Sequence, residues 1–316
     1  MKTLKFKNND KLDTIGLGTW KSEPGEVKNA VITALKAGYR HIDCAPVYGN
    51  EEEVGDGIKA VLDEGEIKRE DIWVTSKLWN NAHKKEDVKP ALEKTLKDLQ
   101  LDYIDLYLMH WPVAFKPDVE GFPESDDGFL SLEEVPISET WEAMVGTKNA
   151  GLTKHVGVSN FSQKKLKSLL SETNHNPEMN QVEMHPYLHQ SVLVEFCQSN
   201  DIHLTAYSPL GSQDRTEEMK AENEPTLLDN DIVKTIAEKH GFTAAQVLIA
   251  FHQQRDIATI PKSTTDSRIK ENLESQNLKL DGDDMKHLKS LDKHFRYVDG
   301  KFFETSDDKY SNIFDE

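Results

Sequence analysis

Short apolar runs alternate with amphipathic helical stretches along almost the whole chain, and this alternation constrains the fold more than any other feature. The runs fall at 15–18, 40–43, 72–77, 104–110, 154–159, 179–183, 203–207 and 257–261. Between them, apolar residues recur at helical spacing over 26–37, 51–63, 86–99, 138–150, 162–171, 190–199 and 230–240, with a shorter stretch at 266–274. In the first stretch Val27, Ala30, Val31, Ala34 and Leu35 make the stripe and Gly38 supplies the stop. Eight strands alternating with helices predict a parallel sheet. An open doubly wound sheet is the rival to a closed barrel, but a dinucleotide-binding half would carry G-x-G-x-x-G after its first strand. The first strand here, IGLGTW (15–20), runs into Thr19 and Trp20 without that motif. Its partners are short, as barrel strands are. The expectation is an α/β fold, a (β/α)8 TIM barrel forming one domain over residues 1–316. Alternation over 2–6 followed by Asn8-Asn9-Asp10 adds an N-terminal β-hairpin.

Three segments break the rhythm: 112–137, 208–228 and the tail from about 294. The first two follow strand ends, and in a barrel those loops line the active face. Excursions of such length there read as lids and pocket walls.

Composition removes several function classes. The formal net charge of −18 repels phosphate backbones and anionic lipid, so neither nucleic acid nor a membrane surface is an expected partner. No apolar run reaches the ~18 residues of a membrane helix. MKTLKFKNND has lysines without an apolar run behind them, unlike a signal peptide. Cys44 and Cys197 are two distant thiols, suited to a reducing cytoplasm rather than a disulfide framework. The expected setting is cytoplasmic and the expected state a monomer or weak homodimer.

Chemistry gathers at the carboxyl ends of three consecutive strands. HIDCAPVYGNEE (41–52) carries Asp43 at a strand end and Tyr48 in the turn after it; IWVTSK ends on Lys77 and IDLYLMH on His110. Taken singly, Asp43 could cap a helix, Tyr48 could be a half-buried aromatic, Lys77 could snorkel and His110 could be a core histidine. Together at one rim they form working equipment. A phenol with a reference pKa of about 10 is a poor acid, an ammonium beside it lowers that value, and a carboxylate holds the ammonium in place. An imidazole alongside can orient a carbonyl oxygen. The set suits protonation of an oxygen while something else reduces the carbon. HWP and MHP hold single histidines without ligand spacing, so no metal is expected.

The later strand ends are polar. Ser159, Asn160 and Gln181 offer a hydroxyl and two amides that match a primary carboxamide, or that simply cap strand ends. Tyr207 could stack on a flat heterocycle, and Ser208, Gly211 and Ser212 could present donors to phosphate. IPKSTTDSRIKEN collects Lys262, Ser263, Thr264, Thr265 and Arg268 at the last strand and its helix, where barrels often bind phosphate. Cations and hydroxyls suit a phosphate monoester.

These motifs, in this order, resemble those of the aldo-keto reductases: GYRHIDCAPVYGNE, KHVGVSNF and IPKSTTDSRIKEN look like the family's three signatures, with NQVEMHPYL and AYSPLGSQDR in keeping. The resemblance spans nearly the whole chain and is closest to the NADP-dependent aldehyde reductase, or alcohol dehydrogenase, branch. It implies NADPH lying across the rim, with NADH as a possible secondary cofactor, and a small carbonyl compound as substrate. It makes Tyr48 the proton donor, Lys77 and Asp43 its tuners and His110 the orienting group. It assigns Ser159, Asn160 and Gln181 to the carboxamide, Tyr207 to the nicotinamide ring, and Ser208, Leu210 and Ser212 to the pyrophosphate. Asp214 with Lys21 and Lys262 resembles a belt over the cofactor. Lys262, Ser263, Thr264 and Arg268 match the 2′-phosphate clamp, Glu271 and Asn272 the adenine contacts; Thr19, Trp20 and Pro261 complete the cofactor set. Trp20, Trp79, Trp111 and Phe122 match the substrate pocket, with His110 at its base. Two other functions share these features: an NADPH-binding regulatory or structural protein with little turnover, and a barrel hydrolase using Asp43 and His110.

Overall fold

In the computed structural model, which describes residues 1–216 and 220–316, the chain opens with the expected hairpin, β1 (Thr3–Lys5) antiparallel to β2 (Lys11–Asp13). Next come β3 (Leu17–Gly18), β4 (His41–Asp43), β5 (Trp73–Leu78) and β6 (Ile104–Met109). A short antiparallel pair, β7 (Ala114–Phe115) and β8 (Phe129–Leu130), lies inside the 112–137 excursion. It is followed by β9 (Thr153–Ser159), β10 (Met179–Glu183), β11 (His203–Tyr207) and β12 (Ala258–Thr259). The intervening helices are α1 (Val27–Ala37), α2 (Glu51–Asp63), α3 (Lys85–Leu99), α4 (Ile137–Asn149), α5 (Gln163–Glu172), α6 (Ser191–Ser199) and α7 (Asp231–His240). Three more close the chain: α8 (Ala244–Gln253), α9 (Asp266–Glu274) and α10 (Gly282–Lys289).

Eight parallel strands run in the order β3-β4-β5-β6-β9-β10-β11-β12. The two ends of that order meet. Gly16 N–H donates to Thr259 O at 2.9 Å, Thr259 N–H to Thr14 O at 2.8 Å, and Gly18 pairs with Lys262. The backbones come so close there that a Cβ on Gly18 would stand 2.6 Å from the Ile260 carbonyl oxygen, so only glycine lets the ring shut. The fold is the expected (β/α)8 barrel.

The hairpin plugs the amino-terminal end of the barrel. Phe6 packs its ring against Trp73, His155 and His203 at centroid distances of 4.9, 4.4 and 4.6 Å. Leu4, Leu12, Leu106, Leu108 and Met179 complete the plug. The motif residues sit at the opposite, carboxyl end.

Two helices depart from the sequence expectation. In α8 every residue from Gln246 to Gln253 is buried, so no polar face marks a helical period; the local start signal is the Thr243–Gln246 capping box. In α10 the apolar stripe shrinks to Met285 and Leu288, and an Asp281–Asp284 capping box starts the helix. Elsewhere the boundaries agree within one or two residues, and Gly38 stops α1 at φ 113°, as read. The 208–228 excursion includes residues 217–219, which lie outside the described residues.

Candidate active site

The chain turns sharply after β4. Pro46–Tyr48 form one 3-10 turn that ends on Gly49 at φ 68°, and this returns the Tyr48 ring over the strand ends. Inside the barrel, Lys77 is fully buried and its ammonium has three acceptors. They are Asp43 Oδ1 at 2.5 Å, the Cys44 carbonyl at 3.0 Å and Tyr48 Oη at 3.2 Å. Three donors meet three acceptors, so the head group is satisfied and immobile. Asp43 Oδ2 accepts a hydrogen bond from Gln181 Nε2 at 2.7 Å. The Asp43 carbonyl accepts from Thr19 Oγ1 at 2.9 Å, and Asn50 Nδ2 donates to the Thr19 carbonyl at 2.9 Å. His110 closes the group, its ring edge-on to Tyr48 at 5.9 Å and to Trp79 at 5.2 Å. The structure thus brings together all four strand-end residues.

Electrostatics here are set by burial. Burial pulls the Lys77 ammonium down, but the Asp43 charge and the Tyr48 oxygen outweigh it and hold the group above its ordinary value. Burial drives the His110 imidazole well below its ordinary value, and the Lys77 and His83 charges act in the same direction. His110 is thus neutral, with Nδ1 buried and without a hydrogen-bond partner among the described residues. The phenol departs from expectation. Lys77 does pull Tyr48 toward the phenolate, but burial is the larger effect and pushes the phenol up to about 12. The Tyr48 proton is therefore held in place, not half released.

Around the ring, the polar strand ends hold one another. Ser159 Oγ donates to the Gln181 carbonyl at 2.8 Å, Asn160 Nδ2 to the His110 carbonyl at 2.9 Å, and Tyr207 Oη to Asn160 Oδ1 at 2.8 Å. Ser159, Asn160 and Gln181 thus brace the strand ends against one another. The loop after β11 crosses toward β3 and β12. Lys21 Nζ donates to Ser212 Oγ at 2.6 Å and pairs with Asp214, whose other oxygen lies 3.4 Å from Lys262 Nζ. Lys21, Asn160, Ser208 and Ser212 all adopt left-handed backbone, at φ 62°, 63°, 48° and 46°. Such backbone is strained for residues with a Cβ and recurs where a ligand is gripped.

Residues 261–272 are joined less tightly. Thr265 N–H donates to Ser263 Oγ at 3.2 Å, and Arg268 is exposed and makes no hydrogen bond or ion pair with a described residue. Glu271 accepts from Thr243 Oγ1 at 2.8 Å, and Asn272 is buried.

Above His110 stands an aromatic wall. Trp79 meets Phe122 at 5.4 Å, and Trp20 lies 6.4 Å from Tyr48. The tail supplies the other side: Phe302 lies 5.8 Å from Trp111 and 5.5 Å from Phe122, and Phe303 lies 4.9 Å from Trp111. Sequence reading found the four tryptophan and phenylalanine positions but not these two. Their signal was a pair of adjacent phenylalanines in a tail that also holds Tyr310, Ile313 and Phe314 among its acidic residues. The anchor of the tail is also new: Glu183 accepts from Tyr297 N–H at 2.7 Å, Val298 N–H at 2.8 Å and His185 Nε2 at 2.8 Å.

With this geometry in view, comparison with known proteins is decisive. The model of the Aldo/keto reductase family matches residues 14–293. The chain belongs to the aldo/keto reductase family. An aldo/keto reductase of Synechocystis sp. is 48% identical over 100% of this chain and 97% of that protein. Aldo-keto reductase family 1 member A1 of Cricetulus griseus is 48% identical over 91% of this chain and 89% of its own length. The Homo sapiens protein of the same name is 47% identical over 91% and 88%. As an aldo/keto reductase the protein is an oxidoreductase that reduces carbonyl groups with a nicotinamide cofactor. No helix among the described residues is long and apolar enough to cross a membrane.

Proposed function

We propose that this protein is an NADPH-dependent aldehyde reductase in which Tyr48 protonates the carbonyl oxygen. The observation that carries the reading is Tyr48 Oη at 3.2 Å from a buried lysine whose charge is fixed by Asp43 at 2.5 Å. Residues around the rim suit the cofactor. With Nε2 on Asp43, Gln181 keeps its Oε1 for an amide donor. Lys21, Ser212, Asp214 and Lys262 make a strap across the strand ends. The exposed Arg268, beside Lys262, Ser263 and Thr264, is a cation without an ion pair among the described residues of a chain of net charge −18, which suits a phosphate monoester and favours NADPH over NADH. A nicotinamide held by these residues would supply the hydride, a group no side chain can deliver.

The side chains do the rest. The aromatic wall excludes water and presses the carbonyl toward Tyr48 and His110. Neutral His110 donates to the carbonyl oxygen and fixes its direction. As hydride reaches the carbon, the oxygen gains charge and takes the Tyr48 proton, and the phenolate left behind is stabilised by the Lys77 ammonium. Solvent then returns a proton to Tyr48, so an aldehyde, a hydride and a proton become an alcohol. The same reading takes the protein as a cytoplasmic monomer or weak homodimer, with sugar aldehydes and ketones as further substrates.

Tyr48→Phe tests it. The expected result is a loss of aldehyde-dependent NADPH oxidation by about 10²-fold or more, with NADPH affinity and thermal midpoint kept. Activity close to that of the unsubstituted protein would overturn the assignment.

A further inference from the structure

The walls of the substrate mouth carry a strong, one-sided charge. Residues 116–134 hold seven carboxylates against one lysine, and residues 294–316 hold six against one arginine and two lysines. These are the two segments that meet over the aromatic wall. Ser306 N–H donates to Asp126 at 2.8 Å, and Tyr310 Oη donates to the Leu130 carbonyl at 2.7 Å. Glu120 and Glu124 are exposed and stand two residues either side of Phe122. Two residues span at most about 7 Å of chain, which is inside the ~8 Å screening length at physiological salt.

The lysines and the arginine of the tail that could offset this are taken. Arg296, the one arginine of the tail, lies flat on Phe314 at 3.7 Å and gives both Nε and Nη2 to the Glu316 carboxylate. Its side chain is only 7% exposed. Lys309 pairs with Asp307 at 2.9 Å and Lys301 with Asp299 at 3.4 Å. Deeper in, the Lys77 charge is matched by Asp43, and His110 is neutral. Trp79 has also spent its N–H, donating to the Gly121 carbonyl at 3.0 Å. An anionic substrate would approach through a negative rim in which Lys116 is outnumbered seven to one within its own segment and the cations of the tail are already paired.

We infer that this acidic collar selects neutral and cationic carbonyl substrates and turns away carboxylated and phosphorylated ones. The selection rests on the reductase reading given above and acts on approach and binding, so it appears in KM rather than kcat.

The experiment compares 4-carboxybenzaldehyde with its methyl ester, which has nearly the same shape without the charge, using NADPH at two salt concentrations. At about 0.01 M salt, where screening reaches roughly 30 Å, kcat/KM for the ester is expected to exceed that for the acid by about tenfold. At about 1 M salt, where it reaches roughly 3 Å, the gap is expected to shrink to about twofold. The double variant Glu120→Lys with Glu124→Lys is expected to close the low-salt gap by lowering KM for the acid, with kcat and the ester unchanged. Equal efficiency for acid and ester at low salt would overturn the collar. So would a gap that neither salt nor charge reversal moves. If neither compound supports NADPH oxidation, the reductase reading itself fails and the collar with it.

Discussion

Gln181 Nε2 and Asp43 Oδ2 are joined by a 2.7 Å hydrogen bond that crosses the barrel, because β10 and β4 stand four places apart in a ring of eight strands. One residue comes from the amide-rich side of the rim and the other from the side that holds Tyr48 and Lys77. The bond leaves neither oxygen of Asp43 without a donor, since Lys77 occupies Oδ1. A buried carboxylate with both oxygens satisfied is a fixed charge, and a fixed charge is what holds the ammonium under Tyr48.

Gln181→Leu removes that donor and keeps the volume. An unsatisfied buried polar group costs about 1–3 kcal/mol, so chemical denaturation is expected to show a loss of that size. Aldehyde reduction is expected to fall as well, because Asp43 gains freedom to turn. Stability and rate that both match the unsubstituted protein would mean the cross-barrel bond is dispensable.

Lys77→Met leaves Asp43 as an uncompensated charge in a site that is 0–2% exposed. Breaking a buried pair from one side costs about 3–5 kcal/mol, and a fall in thermal midpoint should report it. The variant also removes the Lys77 charge and hydrogen bond, which draw the Tyr48 proton off against burial. Turnover is expected to drop by about 10²-fold or more, with retained NADPH binding by fluorescence distinguishing lost chemistry from lost fold.

Arg268→Met tests the phosphate clamp. A charge-assisted contact of this kind is worth roughly 1.5–3 kcal/mol, so the dissociation constant for NADPH is expected to rise by about tenfold or more. The constant for NADH, which has no 2′-phosphate, is expected to stay put. An equal loss for both cofactors would place Arg268 elsewhere.

Glu51 gives a pH signature. It is buried at the start of α2, accepting from Ser76 Oγ at 2.6 Å and Thr95 Oγ1 at 3.0 Å, and burial pushes its carboxyl up to about 7. A folded value above the unfolded one means the folded chain holds the proton more tightly. The contribution is then complete below the unfolded value of 4.5 and is lost as pH rises through 7. The loss is on the order of 3 kcal/mol. Glu51→Gln keeps one of the two oxygen acceptors and cannot ionise, so its stability is expected to stay level between about pH 5 and 8 while that of the unsubstituted protein declines. Parallel declines would show that Glu51 is ionised throughout.

How much of this was legible beforehand varied with the range of the physics. Asp43, Tyr48, Lys77 and His110 could be read because each lies at the end of a short apolar run, and parallel neighbours bring such ends to one rim. Helix α8 could not, because burial on every side erased the polar face that a periodic pattern needs. Phe302 and Phe303 could not be placed, since only the Glu183 anchor at Tyr297 and Val298 brings the tail back over the mouth.

Local pattern and chain order were enough for the alternation of strands and helices, the hairpin, the barrel and the placing of Asp43, Tyr48, Lys77 and His110 at one rim. Each follows from side chains within about ten residues of one another, or from their order along the chain. Tertiary structure alone decided that the ring closes at Gly18, that Gln181 reaches Asp43, and that the tail walls the mouth. It also decided that Tyr48 keeps its proton, at about 12, against the pull of Lys77. The reason is that solvation is set by everything that surrounds a group in space, and neighbours in sequence are only a small part of that.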